Sequence, residues 1–168
     1  MAEAMLRRKL ADAGVDAHVH SAGLRLDGEP ASPNGVDVVA ERGLDISEHR
    51  SRIVTRELIE HADLVIAMAR EHVREAVLLC PDAWPRVFTL KELARRGGEV
   101  GTRFDEPLSG WLNRLHASRT RAELLGDSPA DDVADPIGSA REAYERTATE
   151  LDQLLDHVVE LAFRRQAA

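Results

Sequence analysis

The feature that most constrains this fold is a continuous apolar run, "DLVIAMA", at residues Asp63–Ala69. The run shows no alternation of apolar and polar residues, which a strand facing water on one side would show. Short apolar runs of this kind are typical of strands that are covered on both faces of a parallel sheet. The sequence therefore predicts a buried strand at residues 63–69.

Patterns of helices and further strands alternate around this run. Helices are predicted at residues 1–14, 32–43, 55–62 and 70–79 and from Ser139 towards the C-terminus, and shorter strands at residues 17–23 and 86–90. Strands that alternate with helices form right-handed βαβ units and a sheet covered on both sides. We therefore predict an α/β fold, a three-layer α/β/α arrangement with a mainly parallel sheet.

The length of the chain bounds its domain organisation. The 168 residues suit one domain, so we predict a single domain over residues 1–168. Residues 97–132 are polar and irregular in composition, and we interpret them as an insertion. One helix is expected inside it, around "LSGWLNRLHA" at Leu108–Ala117, where apolar side chains share a face.

Composition excludes several classes of partner and cofactor. A net charge of −8, with basic residues scattered among acidic ones, argues against a nucleic-acid surface but leaves room for a local anion site. No apolar run approaches the roughly 20 residues of a membrane span, and no signal peptide is visible, so we expect a cytoplasmic protein with no membrane partner. The one cysteine, Cys80, cannot form an internal disulfide or a zinc cluster. We expect neither a metal nor an organic cofactor.

Six short motifs follow one another along almost the whole chain outside residues 97–132. They are "MAEA", "HSAG", "GEPASPNG", "RGLDISEHRSR", "DLVIAM" and "ADPIGSAREAYERT". In this order and at this spacing they resemble the low-molecular-weight protein tyrosine phosphatase family, which is related to the phosphatase-fold arsenate reductases. The resemblance implies the fold of that family and a hydrolase that acts on phosphate monoesters through a phosphocysteine.

The resemblance also implies roles for three residues. Asp135, in "ADPIG", matches the family's general acid, which protonates the leaving oxygen and then activates water. Ser21 and His49 match two positions that hydrogen-bond the catalytic loop and fix its conformation. Without the resemblance, these residues would be interpreted as an Asp-Pro turn, a turn serine and a surface histidine.

The segment that carries the family's nucleophile is not in this sequence. In the family, a strand and a loop of form Cys-x-x-x-x-x-Arg-Ser-Pro directly precede "MAEA", and this chain lacks both, so its sheet is predicted to miss the first central strand. Cys80, at a predicted helix end before Pro81, is expected to be a half-buried apolar thiol and not a nucleophile. We expect the chain to be inactive as it stands, because it lacks this loop. We interpret the missing loop as the result of a misplaced start of the sequence. The alternatives are a non-catalytic, degenerate binding domain and a relative of the arsenate reductases.

The substrate implied by the resemblance is a phosphorylated protein, a small phosphate ester or an oxyanion. Family members place aromatic side chains beside the general acid and in the loop after the second strand. Here those positions hold Ile137 with Gly138, and "LRLDG" at residues 24–28, which argues against phosphotyrosine specificity. Because Cys80 is the only downstream cysteine, an arsenate reductase relay through two further cysteines is excluded.

Overall fold

The computed structural model describes residues 1–125 and 129–163, and these residues fall into two compact units. One unit comprises Met1–Ile53 and Ala134–Val159, and the other comprises the described residues of Val54–Val133 and residues 160–163. The single domain predicted over residues 1–168 is not tested by this grouping and stays a prediction. Within the two described ranges, no helix combines the length and the apolarity that crossing a membrane would need.

The first unit is built mainly from helices. They are α1 (Ala2–Asp12), α2 (Pro33–Ala40) and most of α7 (Arg141–Ala162). Their buried apolar side chains include Met5, Leu10, Val38, Val39, Tyr144, Leu151, Leu155 and Val158. The Lys9 ammonium of α1 lies 2.7 Å from Asp152 Oδ1 and 2.6 Å from Asp156 Oδ1, both on α7. The ion pairs join α1 to α7, and the predicted first, second and last helices are confirmed.

The predicted strand at residues 17–23 is wrong. The structure gives this segment one isolated parallel bridge, between Gly23 and Ile53, with the Gly23 N–H donating to the Arg52 carbonyl at 2.8 Å. A strand needs a neighbour for its alternating N–H and C=O groups. Within the described chain, this segment finds such a neighbour only at Gly23, so the rest of it is extended chain.

The second unit holds a two-stranded parallel sheet. Strand β1 (Val65–Ala67) pairs with β2 (Val87–Thr89), in the register Val65 to Val87 and Ala67 to Thr89. The helices of the unit are α3 (Arg56–Glu60), α4 (Arg70–Leu79), α5 (Leu90–Val100) and α6 (Leu108–His116). Two short 3-10 helices lie at Pro81–Arg86 and Arg121–Leu124. The predicted parallel pairing is confirmed.

Burial of the two strands differs from the prediction. All three residues of β2 are buried, whereas Val65 and Ile66 of β1 are only partly buried. Among the described residues, β1 forms a ladder with β2 alone, and both strands pack against α4 and α5, β2 more extensively than β1. The apolar run at residues 63–69 therefore yields a shorter and less buried strand than predicted.

Residues 97–132 contribute to the core of the second unit. The helix predicted around Leu108–Ala117 is confirmed as α6, and its Trp111 is fully buried, as are Leu112 and Leu115 to within 1%. The Trp111 indole N–H donates to the Gly101 carbonyl at 2.8 Å, which satisfies the one polar group of this side chain. Whether the segment is an insertion stays a prediction.

Gly97 of α5 is required where the helix meets Trp111. A Cβ placed on Gly97 would lie 2.8 Å from Leu161 Cδ1 and 3.2 Å from the Trp111 ring. We expect Gly97→Ala to lower the free energy of unfolding by about 1–3 kcal/mol, because the core is overpacked. The exposed neighbour Gly98 is the matched control, since Gly98→Ala gains about 0.5–1 kcal/mol of helix stability. Urea denaturation checks both, and equal effects would contradict the close packing at Gly97.

Candidate functional site

A cleft of about 240 Å³ lies at the start of α1 in the first unit. Its walls come from the first two turns of α1, from Ser21 and from the turn at residues 45–49. Glu3, Arg7, Ser21 and His49 are its polar side chains nearest to one another. Two of the three residues that the resemblance singled out, Ser21 and His49, therefore line one cleft.

Glu3 is the residue on which these side chains converge. The Ser21 hydroxyl donates to Glu3 Oε2 at 2.5 Å, and His49 Nδ1 lies 3.9 Å from the same oxygen. The other oxygen, Oε1, pairs with the Arg7 guanidinium one turn along α1, and Arg7 also donates to the Val19 carbonyl at 2.9 Å. Only 16% of the Glu3 side chain is exposed, so the carboxylate is held from three sides.

Local turn chemistry places His49. Asp45 Oδ1 accepts the Ser47 N–H at 2.8 Å, and the His49 N–H donates to the Ile46 carbonyl at 3.1 Å. The Ser47 N–H lowers the pKa of the Asp45 carboxyl by bonding its ionised form. An aspartate that bonds the backbone two residues on is the usual device of such turns. The turn, together with the antiparallel bridge between Pro30 and Arg50 that follows it, places His49 at the wall of the cleft.

The electrostatics of the cleft favour an ionised Glu3. Burial acts to raise the pKa of Glu3, but the hydrogen bond from Ser21 and the charge of Arg7 outweigh it and leave the pKa below its usual range. Because the pKa is lower in the folded protein, ionised Glu3 stabilises the fold above the unfolded pKa of about 4.3. This stabilisation is lost as the pH falls through the folded pKa.

Glu3→Gln tests this linkage. We expect the free energy of unfolding of wild type to exceed that of the variant near neutral pH, and the difference to shrink as the pH falls from about 6 to about 3. Urea denaturation at a series of pH values measures it, with Asp16→Asn, at an exposed position, as the control for removing a charge. A difference that stays constant across this range would contradict the role of the Glu3 charge.

Asp135 belongs to the first unit and is not among the residues that line this cleft. It is exposed, and its Oδ1 accepts the Ile137 N–H at 3.0 Å across Pro136. The Ser139 N–H then donates to the Pro136 carbonyl at 2.9 Å, so a tight turn leads from Asp135 towards α7. Of the three predicted site residues, the structure brings together Ser21 and His49. The catalytic role of Asp135 stays a prediction.

Cys80 and Arg86 stand six residues apart, the Cys-x-x-x-x-x-Arg spacing of the family's loop, which the sequence interpretation overlooked. The segment between them is a 3-10 helix, and no Ser-Pro follows the arginine. Cys80 is 2% exposed within an apolar cluster, and the Arg86 guanidinium donates to carbonyls at the end of α3, including that of Ala62 at 2.9 Å. Cys80 is therefore an apolar thiol, as predicted, but it is fully buried and not half-buried.

Two features were missed at the level of sequence. Glu3 was quoted within "MAEA" without a role, although its position one turn before Arg7 on α1 was a signal for a paired carboxylate. Glu92 in the second unit is fully buried among arginines, and its spacing of four from Arg96 was the available signal. In the part of the chain that the structure describes, no three His, Cys, Asp or Glu side chains are grouped so as to hold a metal ion.

Comparisons with known proteins agree with the motifs. The model of the family "Low molecular weight phosphotyrosine protein phosphatase" matches residues 1–125. The probable low molecular weight protein-tyrosine-phosphatase EpsP of Ralstonia solanacearum is 43% identical over 94 residues, which are 55% of this chain and 62% of that protein. The protein-arginine-phosphatase of Geobacillus stearothermophilus is 30% identical over 161 residues, which are 95% of this chain and 84% of that protein. Arsenate reductases are also among the relatives.

The fold is shared with solved structures. A low molecular weight protein tyrosine phosphatase from T. tengcongensis superposes with a TM-score of 0.69 at 33% identity, over 95% of this chain and 87% of that one. The α/β phosphatase fold predicted from the motifs is therefore confirmed. The chain belongs to the low molecular weight phosphotyrosine protein phosphatase family. It spans about 62% of the length of the EpsP proteins that it matches.

Proposed function

We propose that this chain is the body of a phosphate-ester or phosphoramidate hydrolase, completed by a Cys-x-x-x-x-x-Arg-Ser-Pro loop N-terminal to Met1. The observation that carries the proposal is the convergence of Ser21 and His49 on Glu3 in the cleft at the start of α1. These are the two positions whose family role is to hold that loop. A hydroxyl hydrogen-bonded to a carboxylate, with an imidazole 3.9 Å from the same oxygen, is suited to orient the polar groups of a neighbouring segment.

The chemistry of the completed site follows two steps. The cysteine thiolate attacks phosphorus and forms an S–P bond while the bond to the leaving oxygen or nitrogen breaks, and Asp135 gives that atom a proton. Ionised Asp135 then takes a proton from water, which attacks phosphorus, breaks the S–P bond and releases phosphate and thiolate. Asp135 stands in an exposed turn and its Oδ1 is already oriented by the Ile137 N–H. No metal is needed in either step.

For the substrate we propose a phosphorylated protein, with phosphoarginine preferred over phosphotyrosine. The relatives named protein-arginine-phosphatase align with 92% and 95% of this chain, whereas the EpsP match covers 55%. The side chain beside the acid turn is Ile137, 64% exposed, and Leu26 in the loop after Ser21 is 51% exposed. Aliphatic side chains at these positions suit the stem of an arginine better than they suit stacking on a phenyl ring.

A cytoplasmic location is part of the same proposal, because the nucleophile must be a reduced thiolate and reducing conditions prevail there. A non-catalytic binding domain would also explain a chain without a nucleophile, but it gives no reason for the retained Ser21 and His49. An arsenate reductase resolved by an external thiol is a third possibility, and one assay distinguishes the three.

The assay uses the protein at its natural length, as isolated from its own source. We expect turnover of a phosphoarginine peptide to exceed that of a matched phosphotyrosine peptide, with little arsenate reduction in the presence of a small thiol. Cys80→Ala is the matched control and keeps its activity, because Cys80 is a core residue. Absence of turnover with every substrate would favour the binding domain. Loss of activity in Cys80→Ala would contradict a nucleophile that lies N-terminal to Met1.

A further inference from the structure

Three consecutive residues of the second unit are tied to the carboxyl end of β1. The Val133 N–H donates to the Met68 carbonyl at 2.8 Å. Asp132 Oδ1 accepts the Arg70 N–H, at the first residue of α4, at 2.7 Å. The Asp131 carboxylate pairs with the Arg70 guanidinium. Two backbone groups and one side chain of Met68–Arg70 thus hold the segment Asp131–Val133, which we call the anchor.

The ion pair between Asp131 of the anchor and Arg70 is enclosed, whereas Asp132 is half-buried. Arg70 is 4% exposed and Asp131 is 7% exposed, and Arg70 Nη1 also lies 3.6 Å from Glu92 Oε2 on α5. Arg95 Nη2 lies 3.6 Å from Asp131 Oδ1. Each buried charge therefore faces an opposite one, which is the condition under which a buried ion pair holds a single geometry. The anchor is fixed by charge as well as by hydrogen bonds.

We propose that Asp132 and Asp131 are positioning residues for the general acid, through this anchor. Along the sequence, only Ala134 separates Val133 from Asp135, and Pro136 restricts the backbone of Asp135 from the other side. A chain fixed at Val133 and stiffened at Pro136 leaves the Asp135 backbone few conformations. The inference rests on the acid role proposed for Asp135. The contacts of the anchor lie within the second unit and do not depend on that role.

The test compares Asp132→Ala with Asp132→Asn in the protein at its natural length. Asparagine keeps an acceptor oxygen for the Arg70 N–H, whereas alanine removes it. We expect Asp132→Ala to speed hydrogen exchange at residues 129–138 and to lower kcat about 10–100-fold with little change in KM, because the acid is misplaced. Asp132→Asn should rescue both. Asp82→Ala, at an exposed aspartate of the same unit, is the control and should change neither.

Each other outcome overturns part of the account. Faster exchange with an unchanged kcat would make the anchor an ordinary helix cap and overturn the positioning role. Unchanged exchange would overturn the anchor. Asp131→Asn, which leaves the Asp132 bond in place but removes the charge that faces buried Arg70, is a second variant and should show the same two effects. An inactive wild type would contradict the proposed function, while the exchange data would still report on the anchor.

Discussion

Asp135→Asn lowers kcat of the natural-length protein by about 10²–10⁴-fold if Asp135 is the general acid. The asparagine keeps the shape of the side chain and an oxygen that can accept the Ile137 N–H, so the turn before α7 is preserved. What is lost is the proton for the leaving atom. We expect KM to change little, because the carboxyl assists the transition state more than it binds the substrate.

Leaving-group dependence makes this prediction specific. A poor leaving group, such as an alkyl alcohol, needs the proton more than p-nitrophenol does, so the loss in Asp135→Asn should be larger for the poor one. Asp16→Asn, at an exposed aspartate of the same unit, is the matched control and should leave kcat unchanged. Equal losses for both leaving groups, or no loss, would contradict the role of Asp135 as the general acid.

Glu92→Ala is expected to give the largest loss of stability in the second unit, about 3–5 kcal/mol. Glu92 is fully buried, and its Oε1 lies 2.9 Å from Arg96 Nε and 3.0 Å from Arg119 Nε. Burial lowers the pKa of Arg119, and the charge of Glu92 opposes that shift. Removing the carboxylate leaves buried guanidinium groups without their common partner.

A control on the same helix separates this effect from helix propensity. Glu99 is exposed and its pair with Arg95 is 3.6 Å long, so Glu99→Ala should change the free energy of unfolding by no more than about 0.5 kcal/mol. Thermal and urea unfolding followed by circular dichroism measure both variants. If Glu92→Ala is as stable as Glu99→Ala, the buried network contributes no stability and its description is wrong.

Periodicity predicted the elements whose partners lie close in sequence. The bounds of α4 at Arg70–Leu79 agree with its apolar spacing, and Thr55 and Thr89 cap their helices through side-chain bonds. Strand prediction was weaker, because a strand is defined by its neighbour. The segment 17–23 alternates like a strand but has a single bridge at Gly23 in the described chain. Sequence patterns do not show which segments will pair.

The candidate site was predictable only in part for a similar reason. Ser21 and His49 came from the family order of motifs, and the structure brings them to one carboxylate. Glu3 and Glu92 were missed because a charged residue on a helix is by default interpreted as solvated. Whether it is instead buried depends on arginines elsewhere in the chain, such as Arg119 for Glu92. Burial of a charge is a property of the tertiary fold.

The intact mass of the protein isolated from its own source tests the central claim most directly. The account predicts a mass above the 18.5 kDa of this chain by that of a strand and a phosphate loop, about 15 residues or more. Peptide sequencing should then find Cys-x-x-x-x-x-Arg-Ser-Pro directly before "MAEA". A mass equal to that of this chain would contradict the account, because no nucleophile would then stand at the cleft that Ser21 and His49 line.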